Sequence, residues 1–388
     1  MSRGAEHVPF NLPYMVGREL EYIAEAVRLG QLAGDGLFTR RCQAWLEREL
    51  RARRVLLTHS CTAALEMSAL LCEVGPGDEV VMPSFTFVST ANAFLLRGAR
   101  PVFVDVRQDT LNLDESLVEE AVTPRTRVIV PVHYAGVACE MDVVLGIAER
   151  YGLRVVEDAA QGMGASYKGS PLGSLGHLGT LSFHETKNLI SGEGGALIIQ
   201  DEELLARAEI LRDKGTNRAS FFRGEVDKYT WLDVGSSFLP SELVAAFLLA
   251  QLEEAEGIMT RRREIFATYQ EALQDLETEG RIRLPVLPEH CRHNGHLFYV
   301  LLPTTEERDE LLAQLRRSGV DAVFHYVPLH QSPMGRRLGY ECGSLPVTEA
   351  ASNHLLRLPS FFGLEDRQQE KVIEELRRWC RTSRCRGR

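Results

Sequence analysis

From residue 54 the chain alternates short, unbroken apolar runs with segments of helix length. The runs are "RVLLT", "DEVVMP", "ARPVFVDV", "RVIVPV", "LRVVEDAA", "GTLSF" and "GALIIQ". A strand with one wet face alternates apolar and polar residues, whereas a strand buried on both faces has no need to. The pattern therefore predicts a largely parallel sheet covered by helices on both sides. "TAALEMSALLCEVG" and "DVVLGIAERYG" supply the crossovers that parallel neighbours require. The expected class is α/β.

After "GSSFLPSELVAAFLLAQLEEAEGIMTRRREIFATYQEALQDLE", read as one long helical region, the rhythm changes. "HLFYVLL", "ERDELLAQLRRSG", "AVFHYVP" and "EDRQQEKVIEELRRWC" then read as strand, helix, strand and helix of a small α+β unit. The expected division is a large domain over 1–262, a small C-terminal domain over 263–380 and a basic, disordered tail over 381–388. A chain of 388 residues has room for both units.

The balance of 44 basic against 54 acidic residues argues against a nucleic-acid or anionic-membrane binder, while permitting a local basic pocket. No apolar run has the length of a membrane span, and "MSRGAEHVPFNLPY" lacks the apolar stretch of a signal peptide. The eight cysteines are scattered without a C-x-x-C pair, so free thiols, a cytoplasmic setting and no metal site are expected.

Ligands of open α/β sheets collect at the carboxyl ends of the strands. Two runs end in unusual polar groups: Glu157, Asp158 and Gln161 in one, and Ser182, His184 and Lys187 in the other. Asp158 and Lys187 are 29 residues apart, about one strand-connection-strand unit, so neighbouring strands could aim both at one crevice. Lys187 is one of only five lysines, set against 39 arginines. An amine can lose its proton and bond covalently to an aldehyde; a guanidinium cannot. An amine and a carboxylate so placed suit pyridoxal phosphate, the acid keeping the pyridine nitrogen protonated. The plainer reading is a solvated lysine and a helix-capping aspartate.

Other segments carry the same two readings. In "LLTHSCTAALEM" a strand, a turn of Ser60, Cys61 and Thr62, and a helix make either a phosphate cradle or an ordinary N-cap. Phe87 in "MPSFTFVSTANA" is either a ring to stack on a planar cofactor or core. "GEGG" at 192–195 is an anion-binding turn or a hairpin.

Together with "GDG" at 34–36, "PVFVDV", "PVHYAG", "GSSFLPSELVAAFLLAQL", "HYVPLH" and "LLRLP", these segments resemble the DegT/DnrJ/EryC/StrS-type sugar-nucleotide aminotransferases over nearly the whole chain. "GDGLFTRRCQ", "VHYAGVACEMD", "SFHETKN" and "KGTNRASFFRGEVDKYTW" are most similar to members that make dTDP-linked 4-amino-4,6-dideoxygalactose. The resemblance implies the type I pyridoxal-phosphate fold, a mostly parallel seven-stranded sheet with a small C-terminal domain, and a homodimer with shared active sites. It implies Lys187 as the covalent anchor and acid/base, Asp158 on the pyridine nitrogen, Gln161 on the ring hydroxyl and Phe87 stacked on the ring. Ser60, Cys61, Thr62 and Ser182 would hold the phosphate. The family has Ser-Gly-Thr where this chain has Ser60-Cys61-Thr62, which leaves Cys61 a main-chain role. A family Gly-x-Asn is "GSS" here, so Ser237 of the partner subunit would replace the asparagine.

Members that dehydrate the sugar carry histidine at the lysine position, so an intact Lys187 implies transamination. Glutamate is the implied donor and a dTDP-4-keto-6-deoxyhexose the implied acceptor. Amination at C3, a 4-keto-pentose acceptor, or a non-catalytic sensor that holds pyridoxal phosphate are the alternatives. His184 and Glu185 either face substrate or satisfy local hydrogen bonds. Arg212, Lys214, Arg218, Arg223 and Lys228 lie on an expected long loop read as completing the neighbouring subunit's nucleotide site. His325 and His330 are further substrate-side candidates.

Overall fold

The computed structural model describes residues 7–383. Its first nine strands are β1 (Arg54–Thr58), β2 (Glu79–Pro83), β3 (Arg100–Val104), β4 (Thr126–Ile129), β5 (Arg154–Asp158), β6 (Ser166–Tyr167), β7 (Ser170–Pro171), β8 (Leu178–Ser182) and β9 (Gly195–Ile199). Seven of them form one sheet in the order β1-β9-β8-β5-β4-β2-β3. Only β9 runs against its neighbours, β1 and β8; the other pairings are parallel. The β8–β9 link, residues 183–194, holds no crossover helix, and a chain reversing without one returns antiparallel on the adjacent edge.

The unbroken apolar runs are explained by two-sided burial. Val55, Leu57, Val155 and Ile198 pack with helices Leu37–Leu50, Met141–Tyr151 and Glu242–Glu253. Leu56, Val156, Leu197 and Ile199 point the other way, into helices Cys61–Leu71, Val88–Leu95 and Leu205–Arg212. With both faces covered, only the strand ends remain open to a ligand.

The C-terminal part adds β10 (Cys291–Arg292), β11 (Phe298–Leu301) and β12 (Leu355–Leu358). β11 and β12 pair antiparallel beside helices Ala255–Thr278, Thr305–Arg317 and Asp366–Ser383, around a core that includes Tyr269, Phe298, Leu315, Leu356 and Trp379. The division is less clean than the sequence suggests. Residue 262 falls inside the continuous helix Ala255–Thr278, Val8 is buried in the C-terminal core, and β10 pairs with β6. The last helix runs through Ser383, so of the expected tail only 384–388 lie outside the described residues.

Two elements differ from expectation. "AVFHYVP" is not a strand: Val323 alone bridges Arg357, after which the chain leaves the sheet edge towards Pro328. The strand that pairs with β11 is "LLRL". The long helical region is two helices, the first beginning at Glu242 where Ser241 Oγ caps Val244 N–H, the second following a break at Glu254.

Gly195, at the start of β9, lies against the turn after β1. A Cβ there would stand 2.4 Å from Cys61 N and from Ser60 C, both main-chain atoms. Gly195→Ala should therefore cost about 3 kcal/mol by overpacking, read as a lower urea midpoint. Gly146→Ala, in helix Met141–Tyr151 with nothing within 4 Å of the new Cβ, should instead gain about 0.5–1 kcal/mol. Equal midpoints for the two variants would contradict this packing.

Candidate active site

A cavity of about 600 Å³ opens at the carboxyl ends of the strands, closed on its far side by the C-terminal part. Ser60, Cys61, Thr62, Phe87, Asp158, Gln161, Ser182, His184, Lys187 and His325 all line it. β5 and β8 are adjacent and register Asp158 against Thr180, so Asp158 and the loop after Ser182 start from neighbouring positions.

Asp158 is fixed by two donors: Thr90 Oγ1 to Oδ2 at 2.7 Å and Ala160 N–H to Oδ1 at 3.1 Å. Thr90 is itself 2.8 Å from Thr86 Oγ1. The neighbouring Glu157 points into the opposite layer, where it accepts from Gly173, Leu175 and Gly176 N–H and from His133 Nε2. Cys139 N–H donates to His133 Nδ1, which places the imidazole proton on Nε2. Glu157 is thus structural. The two carboxylates are separated by strand alternation alone.

The loop that carries Lys187 is clamped from both sides. Lys187 N–H donates to His184 O at 2.8 Å. Asn188 donates to Asn294 O at 3.0 Å and meets His296 Nδ1 at 3.0 Å, which ties the loop to the C-terminal part. Among the described residues the Lys187 amine has no hydrogen-bond or ion-pair partner. Burial is the main cause that lowers its pKa from the ordinary 10.5, and Arg357 adds to the effect; Cys61 and Asp158 oppose it. The amine is therefore held closer to its neutral, nucleophilic form.

Ser60 Oγ accepts from Ala63 N–H and so caps helix Cys61–Leu71, which leaves the amides of Cys61 and Thr62 at the cavity without a partner in the helix. Thr62 Oγ1 lies 2.8 Å from Ser89 Oγ. Gln161 is used at both ends, accepting from Ala135 N–H at 2.7 Å and donating to Tyr326 OH at 3.0 Å. Phe87 stands exposed at the mouth. His325 Nδ1 meets Tyr134 OH at 3.1 Å, and burial drives its pKa far down, with Arg357 and Lys187 adding to the fall.

Residues 13–377 match the model of the DegT/DnrJ/EryC1/StrS aminotransferase family. The chain belongs to this family. The spore coat polysaccharide biosynthesis protein SpsC of Bacillus subtilis is 33% identical, covering 95% of this chain and 96% of its own. DesV of S. venezuelae is 34% identical, with a TM-score of 0.89 over 96% of this chain and 98% of its own. Spr1654 of Streptococcus pneumoniae, described as a sugar aminotransferase and solved in PLP and PMP forms, is 26% identical with a TM-score of 0.90, covering 97% of this chain. In its PMP form the match takes in 98% of Spr1654's chain.

Of the other expected site residues of this aminotransferase, His184 lines the cavity of its own chain and the rest do not. Glu185 is exposed beside the cavity rather than lining it, because its N–H donates to Gly192 O and its side chain turns outward. His184 lines the wall, where Nδ1 meets Thr186 Oγ1 and Nε2 lies 3.7 Å from Glu193. Arg212 is buried away from the cavity; its Nη2 donates to both carboxylate oxygens of Asp35, at 2.7 and 2.8 Å, and its Nη1 to Gln43 Oε1, which pins the "GDG" turn. Lys214 and Arg218 pair with Asp213, and Arg223 with Glu209 and Glu225. Lys228 and Ser237 are exposed, and neither lines the cavity of its own chain. His330 is fully buried between Ser84 and Glu349 and is structural.

Sequence reasoning missed Thr90, Arg262, His296, Tyr326 and Arg357, which also line the cavity. Arg357 lies in "LLRLP", but nothing in an apolar strand marks which face its arginine takes.

Because folding lowers the Lys187 pKa, the protonated amine opposes folding below that lowered value, and the penalty fades as pH rises to 10.5. Lys187→Met should raise the Tm of the cofactor-free protein at pH 7, with a gain that shrinks towards pH 10. A gain that grows with pH would reverse the argument.

Proposed function

We propose that this aminotransferase uses pyridoxal phosphate to move an amino group from glutamate to the 4-keto carbon of a dTDP-linked 4-keto-6-deoxyhexose. The observation that carries the reading is Lys187: a partially desolvated, unpartnered amine facing the same cavity as a fixed carboxylate, Asp158. The residues fit the cofactor group by group. Lys187 would meet the aldehyde, Asp158 the pyridine nitrogen, Gln161 the hydroxyl side and Phe87 the ring face. The free Cys61 and Thr62 amides, with the Ser60 and Ser182 hydroxyls, suit the phosphate.

When bound, the cofactor supplies an electron sink that makes the carbon bearing the amine acidic. Lys187 Nζ takes the proton from the donor's α-carbon and, in the second half-reaction, gives one to C4 of the sugar. Asp158, held by Thr90 and the Ala160 amide, stays aligned without rotating. Burial of the lining histidines keeps His325 and His296 neutral, so neither competes with Lys187 as a cationic acid.

A sugar acceptor is supported by the descriptions of SpsC and Spr1654. A homodimer is supported by exposed Leu20, Val27, Leu29 and Leu32 near the N-terminus, and by Phe222, Tyr229 and Trp231 exposed on the 213–234 segment. In this reading Lys214, Arg223 and Lys228 meet the nucleotide diphosphate in the partner subunit's site, and Ser237 its cofactor phosphate.

Purified protein loaded with pyridoxal phosphate should show an absorption band near the visible edge that is absent from Lys187→Ala. Product NMR with glutamate and the 4-keto sugar should place nitrogen on C4; nitrogen on C3, or no product, would refute the assignment. Separately, Arg223→Ala combined with Lys228→Ala should raise KM for the sugar nucleotide about tenfold or more, with KM for glutamate unchanged. An equal rise in both would remove the loop from the site.

A further inference from the structure

A second cavity, of about 550 Å³, lies where Gln108 and Leu111 of the large part meet the C-terminal part. Among the described residues it shares no lining side chain with the active-site cavity. We propose that this second cavity binds a small organic carboxylate with an apolar body, held by the guanidinium of Arg283. The inference does not depend on the transaminase reading above.

Arg283 and Leu301 exchange main-chain hydrogen bonds at 2.9 Å in both directions, which sets their side chains on one face, and both line the cavity. Nε of Arg283 is buried without a hydrogen-bond partner, and among the described residues no carboxylate pairs with the side chain. No aspartate or glutamate among the described residues lines the cavity. Of the acids nearby, Asp109 is already held by Arg107 in a two-pronged pair at 2.9 and 2.8 Å, and Glu306 is exposed in the first turn of helix Thr305–Arg317. His354, on the cavity wall, feels the excess of positive charge. Burial lowers its pKa, Arg308 and Arg283 lower it further, and Glu306 opposes them more weakly. A donor cut off from water is costly to leave unpaired, so Arg283 points to an anion that arrives from outside.

The rest of the lining selects among anions. A phosphate needs many donors, and the natural ones would be the amides that open helix Pro346–His354. Those of Val347 and Thr348 are already taken by Asp105, at 3.0 and 2.7 Å. What remains is one planar fork, which matches the two oxygens of a carboxylate, with Gln108 exposed at the margin to add an amide. Leu111, Ile282, Leu301, Val347 and Ala350 supply apolar surface for the body of the ligand. Leu111, Leu301 and Ala351 also belong to the apolar cluster of Tyr134, against which Tyr326 of the active-site cavity packs. The two cavities therefore back onto one cluster while remaining separate sites.

The test is a fluorine NMR titration of 4-fluorobenzoate into the full chain, as wild type, Arg283→Gln and Ala350→Trp, with uncharged 4-fluorobenzamide as the control. Ala350 is exposed on its helix and lines the cavity, so Ala350→Trp fills the space without entering the core and keeps the test decisive where Arg283→Gln lowers Tm. The expected result is saturable binding of 4-fluorobenzoate by wild type with a Kd of about 1 mM, raised about tenfold or more in each variant, and no binding of the amide. No binding by wild type, or equal binding of acid and amide, would overturn the proposal. So would an unchanged Kd in either variant; if 2-oxoglutarate then displaces the probe, the carboxylate belongs to the active site instead.

Discussion

The active site depends on the register between β5 and β8. That pairing sets Asp158 opposite Thr180 and starts the Lys187 loop two residues further on. A slip of one residue would exchange Asp158 with Glu157, sending the first carboxylate into the helical layer and the second into the cavity. The register is protected by what Glu157 does in its own layer. It accepts three main-chain N–H groups and the His133 proton in a fully buried setting. Moving it would strand all four donors, each loss costing about 1–3 kcal/mol. The structural carboxylate thus holds the functional one in place.

A similar division of labour explains the "GDG" segment. Glu242 accepts from the N–H groups of Gly36, Phe38 and Thr39, the opening turn of helix Leu37–Leu50. A Cβ on Gly36 would overlap the Glu242 carboxylate, so glycine is required for the approach. Asp35, between the two glycines, pairs with Arg212. The chain's motif and one of its expected substrate residues are therefore two halves of one structural joint, which anchors the base of the 213–234 segment to the helical layer.

The fold was legible because burial on both faces leaves a direct mark in the text: every apolar run became a strand of the central sheet. The cavity's floor was legible for a related reason, since polar residues at strand ends break an apolar pattern visibly. Asp158, Ser182 and Lys187 stand out in this way. Its roof was not. Arg262 sits mid-helix and Arg357 mid-strand, in positions whose facing depends on how the C-terminal part docks. "AVFHYVP" has strand composition, yet the segment serves to carry His325 and Tyr326 into the cavity. Local propensity was overridden there by a tertiary demand. The charge of the basic segment is plain in the text, but charge density does not reveal which arginines already have acids, as Arg212 has in Asp35.

The uneven use of lysine and arginine then acquires a physical meaning. A guanidinium keeps its charge even when buried, and so suits positions where a permanent positive potential is wanted. Arg262 retains a pKa of about 10 despite complete burial. Lys187 faces the same cavity with an amine, whose charge can be given up where a guanidinium's cannot. Each fixed cation nearby makes that loss easier, since like charges disfavour protonation. Asp158 opposes this but does not cancel it, because burial is the larger contribution. Arg357 of the C-terminal part therefore acts on the lysine through space, with no contact required. Burial and Arg357 together shift this amine towards its neutral form, the form that takes a proton from carbon.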